Sequence, residues 1–258
     1  MVRVVEKYLL KRIEERGAVL MVLIDPENLD PDQASFLAHE SEVAGASAIM
    51  IGGTTFVSSA HLDAVLQAIK KAVKIPSILF PSNITGVSKH ADAMWFMSLL
   101  NSSDPYFIVG AQVLAAPLIR RFGLEAMPLG YLIIGQGGAA GVIGRACPIP
   151  FDKPELAVAH ALAAQYMGMR FVYLEAGSGV NDPVPAEMVH MVKSTVGVPL
   201  VVGGGIRTGA QARAIVKAGC DIVVTSTALE ESERCSVGRK VEEMMEGINE
   251  GVSERHRH

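Results

Sequence analysis

The sequence predicts a (β/α)8 barrel, and three observations carry the prediction. Eight short apolar runs alternate with segments of helical apolar spacing, the pattern of a parallel sheet covered by helices. The chain has 258 residues, close to the ~250 that one such barrel uses. The last two runs lead into V-V-G-G-G-I-R-T from Val201 and D-I-V-V-T-S-T-A from Asp221. The loops after strands seven and eight are the usual phosphate site of the fold. An open, doubly wound sheet is the second choice. A single domain over residues 1–258 accounts for the length without a linker.

Taken in order, the elements read as follows. Met1 to Gly17 mixes Lys and Arg with Glu6, Glu14 and Glu15, unlike a signal peptide; Val5, Leu9 and Ile13 predict an outer helix. Strand one, Val19 to Ile24, is nearly all apolar, as a strand covered on both faces is, and ends at Asp25-Pro26-Glu27. Pro31 and Asp32 start a helix that runs from Asp32 to Ala44. Strand two, Ala48 to Ile51, leads into G-G-T-T. Ser58 to Lys74 is the next helix, with Leu62, Val65, Leu66 and Ile69 on one face. Strand three, Ser77 to Phe80, ends in P-S-N-I-T-G. For strand four, Phe107 to Gly110 competes with Ala93 to Leu100. The second is preferred: its H-A-D-A entry resembles A-G-C-D before strand eight, and N-S-S-D at its exit offers a helix cap. Pro105 to Arg121 is then a helix, and the third helix shrinks to about Val87 to His90. Strand five is Tyr131 to Ile134. The glycine-rich loop Gly135 to Pro150 that follows has the length of a lid or binding loop. The remaining units are helix Pro154 to Met167, strand six Phe171 to Leu174, helix Met188 to Val196, strand seven, helix Gly209 to Ala218, strand eight and a closing helix, Arg234 to Asn249.

Composition narrows the function. Net charge is −4, so no strong field favours nucleic acid. No apolar run approaches the ~18 residues of a membrane span. The cysteines, Cys147, Cys220 and Cys235, form neither a disulfide framework nor a zinc pattern, which points to a reducing, cytoplasmic location; Cys220 reads as core.

Ligands of a parallel barrel bind at the C-terminal strand ends. This register places there Asp25; Gly52, Gly53, Thr54 and Thr55; Pro81, Ser82 and Asn83; Asn101; Gln136; Glu175 and Ser178; Gly203, Gly204 and Gly205; and Thr225, Ser226 and Thr227. Strands six to eight thus offer amides and hydroxyls for one phosphate monoester, with Glu175 as a base. Asp25 beside G-G-T-T suits Mg2+, a hard ion that bridges oxygen ligands to substrate phosphates. Two anion sites imply two phosphorylated substrates. No lysine ends a strand, which disfavours Schiff-base chemistry. Each site residue also has a plainer reading: Asp25 as a helix cap, Glu175 as an ion-pair partner, the glycines as turns. His61, His90, His160 and His190 fall in helices or their caps and read as surface or satisfied core. Met94, Met97, Met188 and Met191 read mainly as packing, and Trp95 as either core or cleft wall.

L-I-D-P from Leu23, I-G-G-T-T from Ile51, Y-L-E-A-G-S-G from Tyr173, V-G-G-G-I-R-T from Val202 and V-T-S-T-A from Val224 together resemble the geranylgeranylglyceryl phosphate synthases of archaea, from about Lys11 to about Glu246. The P-S-N-I and M-S-L-L-N-S segments look like the second of the two family groups. The resemblance implies a modified (β/α)8 TIM barrel with a reduced third helix. It implies a prenyltransferase that moves a geranylgeranyl group from geranylgeranyl diphosphate to the sn-3 hydroxyl of sn-glycerol 1-phosphate, with Mg2+ as cofactor. By the same resemblance, Asp25 and Thr54 bind the metal. Tyr173, Leu174, Glu175, Ala176, Gly177, Ser178, Gly179, Gly204, Gly205, Ser226 and Thr227 bind the glycerol phosphate, with Glu175 the base. Strand eight ends T-S-T where many relatives have T-G-T; Ser226 keeps the amide and adds a hydroxyl. The resemblance implies a homodimer or a hexamer. A C20 tail needs an apolar groove, expected across the ends of strands two to four near Trp95, Phe96 and Met97, and its product implies transient membrane contact. A sugar-phosphate isomerase and a non-catalytic phosphate sensor are the two rival readings.

Overall fold

In the computed structural model, which describes residues 3–53, 58–226, 229 and 236–255, eight parallel strands close into a barrel in chain order. They are β1 (Val19–Ile24), β2 (Ala48–Ile51), β3 (Ser77–Leu79), β4 (Ala93–Leu99), β5 (Glu125–Ile133), β6 (Phe171–Glu175), β7 (Leu200–Gly203) and β8 (Ile222–Thr225). β8 pairs back onto β1, with Ile222 opposite Val19, so the sheet has no edge and the open doubly wound alternative falls away. The helices are α1 (Val4–Arg16), α2 (Pro31–Val43), α3 (Ser59–Ala72), α4 (Ala111–Phe122), α5 (Gly138–Ile143), α6 (Pro154–Tyr166), α7 (Ala186–Thr195), α8 (Gly209–Lys217) and α9 (Val237–Arg255).

Strand side chains alternate between two faces, and here the alternation sorts them into two cores. Met21, Met50, Ile78, Trp95, Leu129, Phe171, Val201 and Ile222 fill the barrel interior. Their neighbours Leu20, Ile49, Leu79, Met94, Leu132, Val172, Val202 and Val223 pack outward under the helices. Trp95 meets Phe171 edge to face, with ring centroids 5.0 Å apart, and is 1% exposed. Both strand residues and helix faces such as Leu62, Val65, Leu66 and Ile69 of α3 are needed for the outer layer.

Helix α1 closes the barrel at the N-terminal end of the strands. Val5 and Leu9 enter the interior cluster. The Glu125 carboxylate, at the first residue of β5, accepts from the backbone amides of Val4, Val5 and Glu6 at 2.8–2.9 Å. Arg170 then holds Glu6 at 2.7 Å.

Five predicted elements differ. No helix forms at Val87 to His90. The connection from β3 to β4 is a single 3-10 turn, Ile84–Gly86, which Asn83 caps through the Thr85 amide at 2.8 Å. The segment is too short for a barrel helix, and Val87 instead seals the outer core. β5 starts at Glu125 rather than Tyr131. Pro128 and Gly130 argue against a strand by propensity, but the pairing with β4 runs through both. Helix α4 is entered through a π-helical turn, Tyr106–Gly110, so Pro105 to Arg121 is helical in two parts. The loop Gly135 to Pro150 contains α5. The predicted start of the closing helix at Arg234 lies outside the described residues, and that helix continues past Asn249 to Arg255. Among the described residues no helix is long and apolar enough to cross a membrane.

Candidate active site

The inward parity that places Met21 in the interior also aims Asp25, two pleats further on, at the barrel mouth. The same count from Phe171 through Tyr173 brings Glu175 inward, and from Ile222 through Val224 brings Ser226. All of them open on one cleft over the C-terminal strand ends. Counted out to its rim, the cleft holds about 1510 Å³.

Glu175 ends β6 and is 6% exposed. Its Oε1 accepts from the Gly177 amide at 2.7 Å. Burial holds its carboxyl above the usual carboxylate range, while the Gly177 amide and the Tyr173 hydroxyl, both donating to it, pull the other way. Burial and the Glu175 charge in turn raise Tyr173 and Tyr131, so neither phenol ionises near neutral pH. Gly204, at φ 79°, lies so close that a Cβ there would stand 2.4 Å from Glu175 Oε1 and 2.5 Å from the Gly177 nitrogen. Only glycine combines that backbone angle with that approach. The main chain at the exits of β6 and β7 is thereby packed around one buried carboxylate.

The opposite wall is built from the exits of β1 to β3. Asp25 is half-buried, and its Oδ1 accepts from the Glu27 amide at 2.9 Å. A Cβ on Gly53 would stand 2.4 Å from that oxygen, so the glycine makes room for the carboxylate. Among the described residues no three His, Cys, Asp or Glu side chains cluster as a complete metal cage. One carboxylate in an open cleft fits Mg2+ instead, because that ion keeps waters and takes its other oxygens from substrate phosphates.

Between the two walls lies an aromatic floor. Phe80 stacks on Tyr173 at 5.6 Å, and Tyr131 meets both rings edge-on at 5.4 and 5.2 Å. From there the cleft runs past Trp95, Phe96 and Met97 of β4 to Ala111 and Ala115 of α4 and Ile143 of α5. It occupies the sector where a barrel helix between β3 and β4 would have stood.

Most of the predicted strand-end residues meet here. Gly52, Gly53, Pro81, Ser82, Asn83, Ser178, Gly179, Gly204, Gly205, Thr225 and Ser226 line the cleft with Asp25, Tyr173 and Glu175. Thr54, Thr55 and Thr227 lie outside the described residues. The Leu174 and Ala176 side chains point away into the outer core, so only their main chain can serve a ligand. Asn101 is a strut: its side chain donates to the Ile133 and Cys147 carbonyls and accepts from the Ile133 amide. Gln136 is exposed and off the cleft wall. Met94 and Met97 reach the cleft, whereas Met188 is core. The buried Cys220 thiol is pushed up by burial and by Asp221. Phe80 and Tyr131 were not among the predicted site residues; an aromatic at the inward end of a strand was the available signal.

Residues 11–251 match the PcrB family. The geranylgeranylglyceryl phosphate synthase of Thermofilum pendens is 52% identical, over 95% of this chain and 97% of that one. That of Pyrococcus abyssi is 51% identical over the same shares. Among solved structures, the (S)-3-O-geranylgeranylglyceryl phosphate synthase of Thermoplasma acidophilum in complex with its substrate sn-glycerol-1-phosphate superposes with a TM-score of 0.91 at 40% identity, covering 97% of this chain and 100% of that one. Thiamine phosphate pyrophosphorylase from Pyrococcus furiosus, at TM-score 0.60 and 16% identity, shares the fold alone; 92% of this chain and 98% of that one are covered.

Proposed function

The chain belongs to the PcrB family, and from that premise we propose that it is a geranylgeranylglyceryl phosphate synthase. It moves a geranylgeranyl group from geranylgeranyl diphosphate to the sn-3 hydroxyl of sn-glycerol 1-phosphate. The observation that carries this reading is the placement of Asp25 and the Gly204–Glu175 pair on facing walls of one cleft. The two anionic substrates of an ether synthesis need such a pair of walls; a phosphate sensor needs only one.

The amides around Gly179, Gly204 and Gly205, with Ser226, hold the glycerol phosphate by main-chain donors. Its hydroxyl then lies against Glu175. That carboxylate, made a stronger base by burial, takes the hydroxyl proton as the oxygen attacks the allylic carbon. The carbon–oxygen bond to the diphosphate breaks, its electron pair leaves with the diphosphate, and the ether bond forms. Asp25 is the side chain that would hold Mg2+, together with Thr54 from outside the described residues. Bound there, Mg2+ would neutralise charge on the leaving diphosphate. The prenyl chain takes the apolar groove along β4 and α4, which fixes both reactants and contributes through positioning. A homodimer or hexamer in the cytoplasm belongs to the same reading; light scattering tests the assembly.

The deciding experiment offers C15, C20 and C35 diphosphates with each glycerol phosphate enantiomer and identifies products by mass. The expected product is the C20 ether of sn-glycerol 1-phosphate. Absence of ether from every pairing would return the chain to the isomerase or sensor readings.

A further inference from the structure

We infer that His61 is a positioning residue for the diphosphate half of the cleft, acting through the turn that carries Asp25. His61 sits in the first turn of α3 and is half-buried. Its Nε2 lies 2.7 Å from the Pro26 carbonyl oxygen and 3.3 Å from the Leu29 carbonyl oxygen. Both partners only accept, so Nε2 carries the hydrogen and the tautomer is fixed by its surroundings.

The turn between β1 and α2 is anchored at each end. Asp25 accepts from the Glu27 amide at 2.9 Å. Asp30 caps α2 by accepting from the Gln33 amide at 2.8 Å, and Gln33 returns the bond to the Asp30 amide at 3.0 Å. Across the middle, the imidazole ties two carbonyls to α3. Its own backbone amide donates to the Ser58 hydroxyl at 3.2 Å, the cap of that helix. A single side chain therefore ties the turn after β1, next to Asp25, to the first turn of α3. Gly53 packs against the Asp25 carboxylate at that turn. His61 is absent from the cleft wall itself. Its effect on a ligand must pass through the position of Asp25, as the partners of a metal-binding carboxylate do.

This inference rests on the reading of Asp25 as the residue for Mg2+ and diphosphate. The test uses the whole chain and calorimetry with two probes, inorganic pyrophosphate in Mg2+ and sn-glycerol 1-phosphate. His61→Ala is expected to weaken pyrophosphate binding by about 10- to 100-fold and to leave glycerol phosphate within about 2-fold. His61→Gln, whose amide N–H reaches the place of Nε2, recovers most of the loss. In turnover, His61→Ala raises KM for the prenyl diphosphate more than it lowers kcat. Should His61→Ala not fold, His61→Asn takes its place, because its amide stops short of the carbonyls. Unchanged pyrophosphate affinity, an equal loss for both probes, or a folded His61→Gln that recovers nothing would each overturn the inference. If the wild type bound both probes but formed no ether, the synthase reading would fail while the selective loss in His61→Ala still reported on the turn.

Discussion

Sealed beside Tyr173, Gly177 and Gly204, the Glu175 carboxylate is costly to ionise, and that cost makes it a better base than an exposed one. Its folded pKa lies above the unfolded value. The ionised form therefore costs stability above that pKa, and the base form is lost as pH falls through it. Turnover is expected to decline on the acid side with a midpoint above the usual carboxylate range. Glu175→Gln should flatten that limb and lower kcat by roughly 10²-fold or more. It should leave glycerol phosphate affinity near normal by calorimetry and melt no lower than wild type at neutral pH. Undiminished turnover would remove Glu175 as the base. On the other wall, Gly53→Ala puts a methyl against the Asp25 carboxylate. The Mg2+ concentration for half-maximal rate should rise about 10-fold, as for other disturbed metal-site neighbours; an unaltered titration would refute the metal role. The position of Asp25 and Glu175 on the cleft wall was legible in the sequence, because a carboxylate that ends an apolar strand of a parallel barrel falls at its mouth. His61 and Asn101 were not, because side chains that brace carbonyls leave no mark in spacing or composition.

At the level of elements, the shortened connection from β3 to β4 makes the groove. A full helix there would cover the outer face of β4; the 3-10 turn leaves Phe96 half-buried and opens a path to α4. The chain's rhythm showed this shortening, since Ser77 and Ala93 are too close for a complete βα unit. The true start of β5 was hidden because Pro128 and Gly130 weaken any strand signal, and only pairing with the long β4 rescues it. Helix α5 was hidden by its glycines, which read as loop; its fold depends on Leu99 and Ile133 packing where those glycines lack side chains. Ala111, on the first turn of α4, borders the groove with no bulk of its own. Ala111→Trp should therefore raise KM for the C20 donor by about 10-fold or more, a loss of roughly 1.4 kcal/mol. Inorganic pyrophosphate should bind as before. Equal KM values for C20 and C10 donors in the variant would place the tail elsewhere.

Across the whole molecule, chemistry and closure occupy opposite ends of the barrel. The C-terminal strand ends carry Asp25, Glu175 and the glycine-rich turns. The N-terminal ends carry α1, with Val5 and Leu9 as the plug and Glu125 as its cap. This division follows from the parallel sheet, in which every strand begins at one end and every loop toward a ligand leaves from the other. Three backbone amides of α1 share one carboxylate, itself only 7% exposed. Glu125→Ala leaves those donors without their acceptor and releases Glu6 and Arg170 from a fixed geometry. Unsatisfied buried donors cost ~1–3 kcal/mol each when water cannot reach them. Fraying of α1 lets water in, so the net loss should be about 2–4 kcal/mol, several degrees of Tm in a chain of this size. The cleft is at the far end, so kcat and both KM values below the melting range should stay as in the wild type. Thermal unfolding beside steady-state kinetics checks this: a fall in kcat at 25 °C, in a sample still fully folded, would show that the plug and the mouth are coupled.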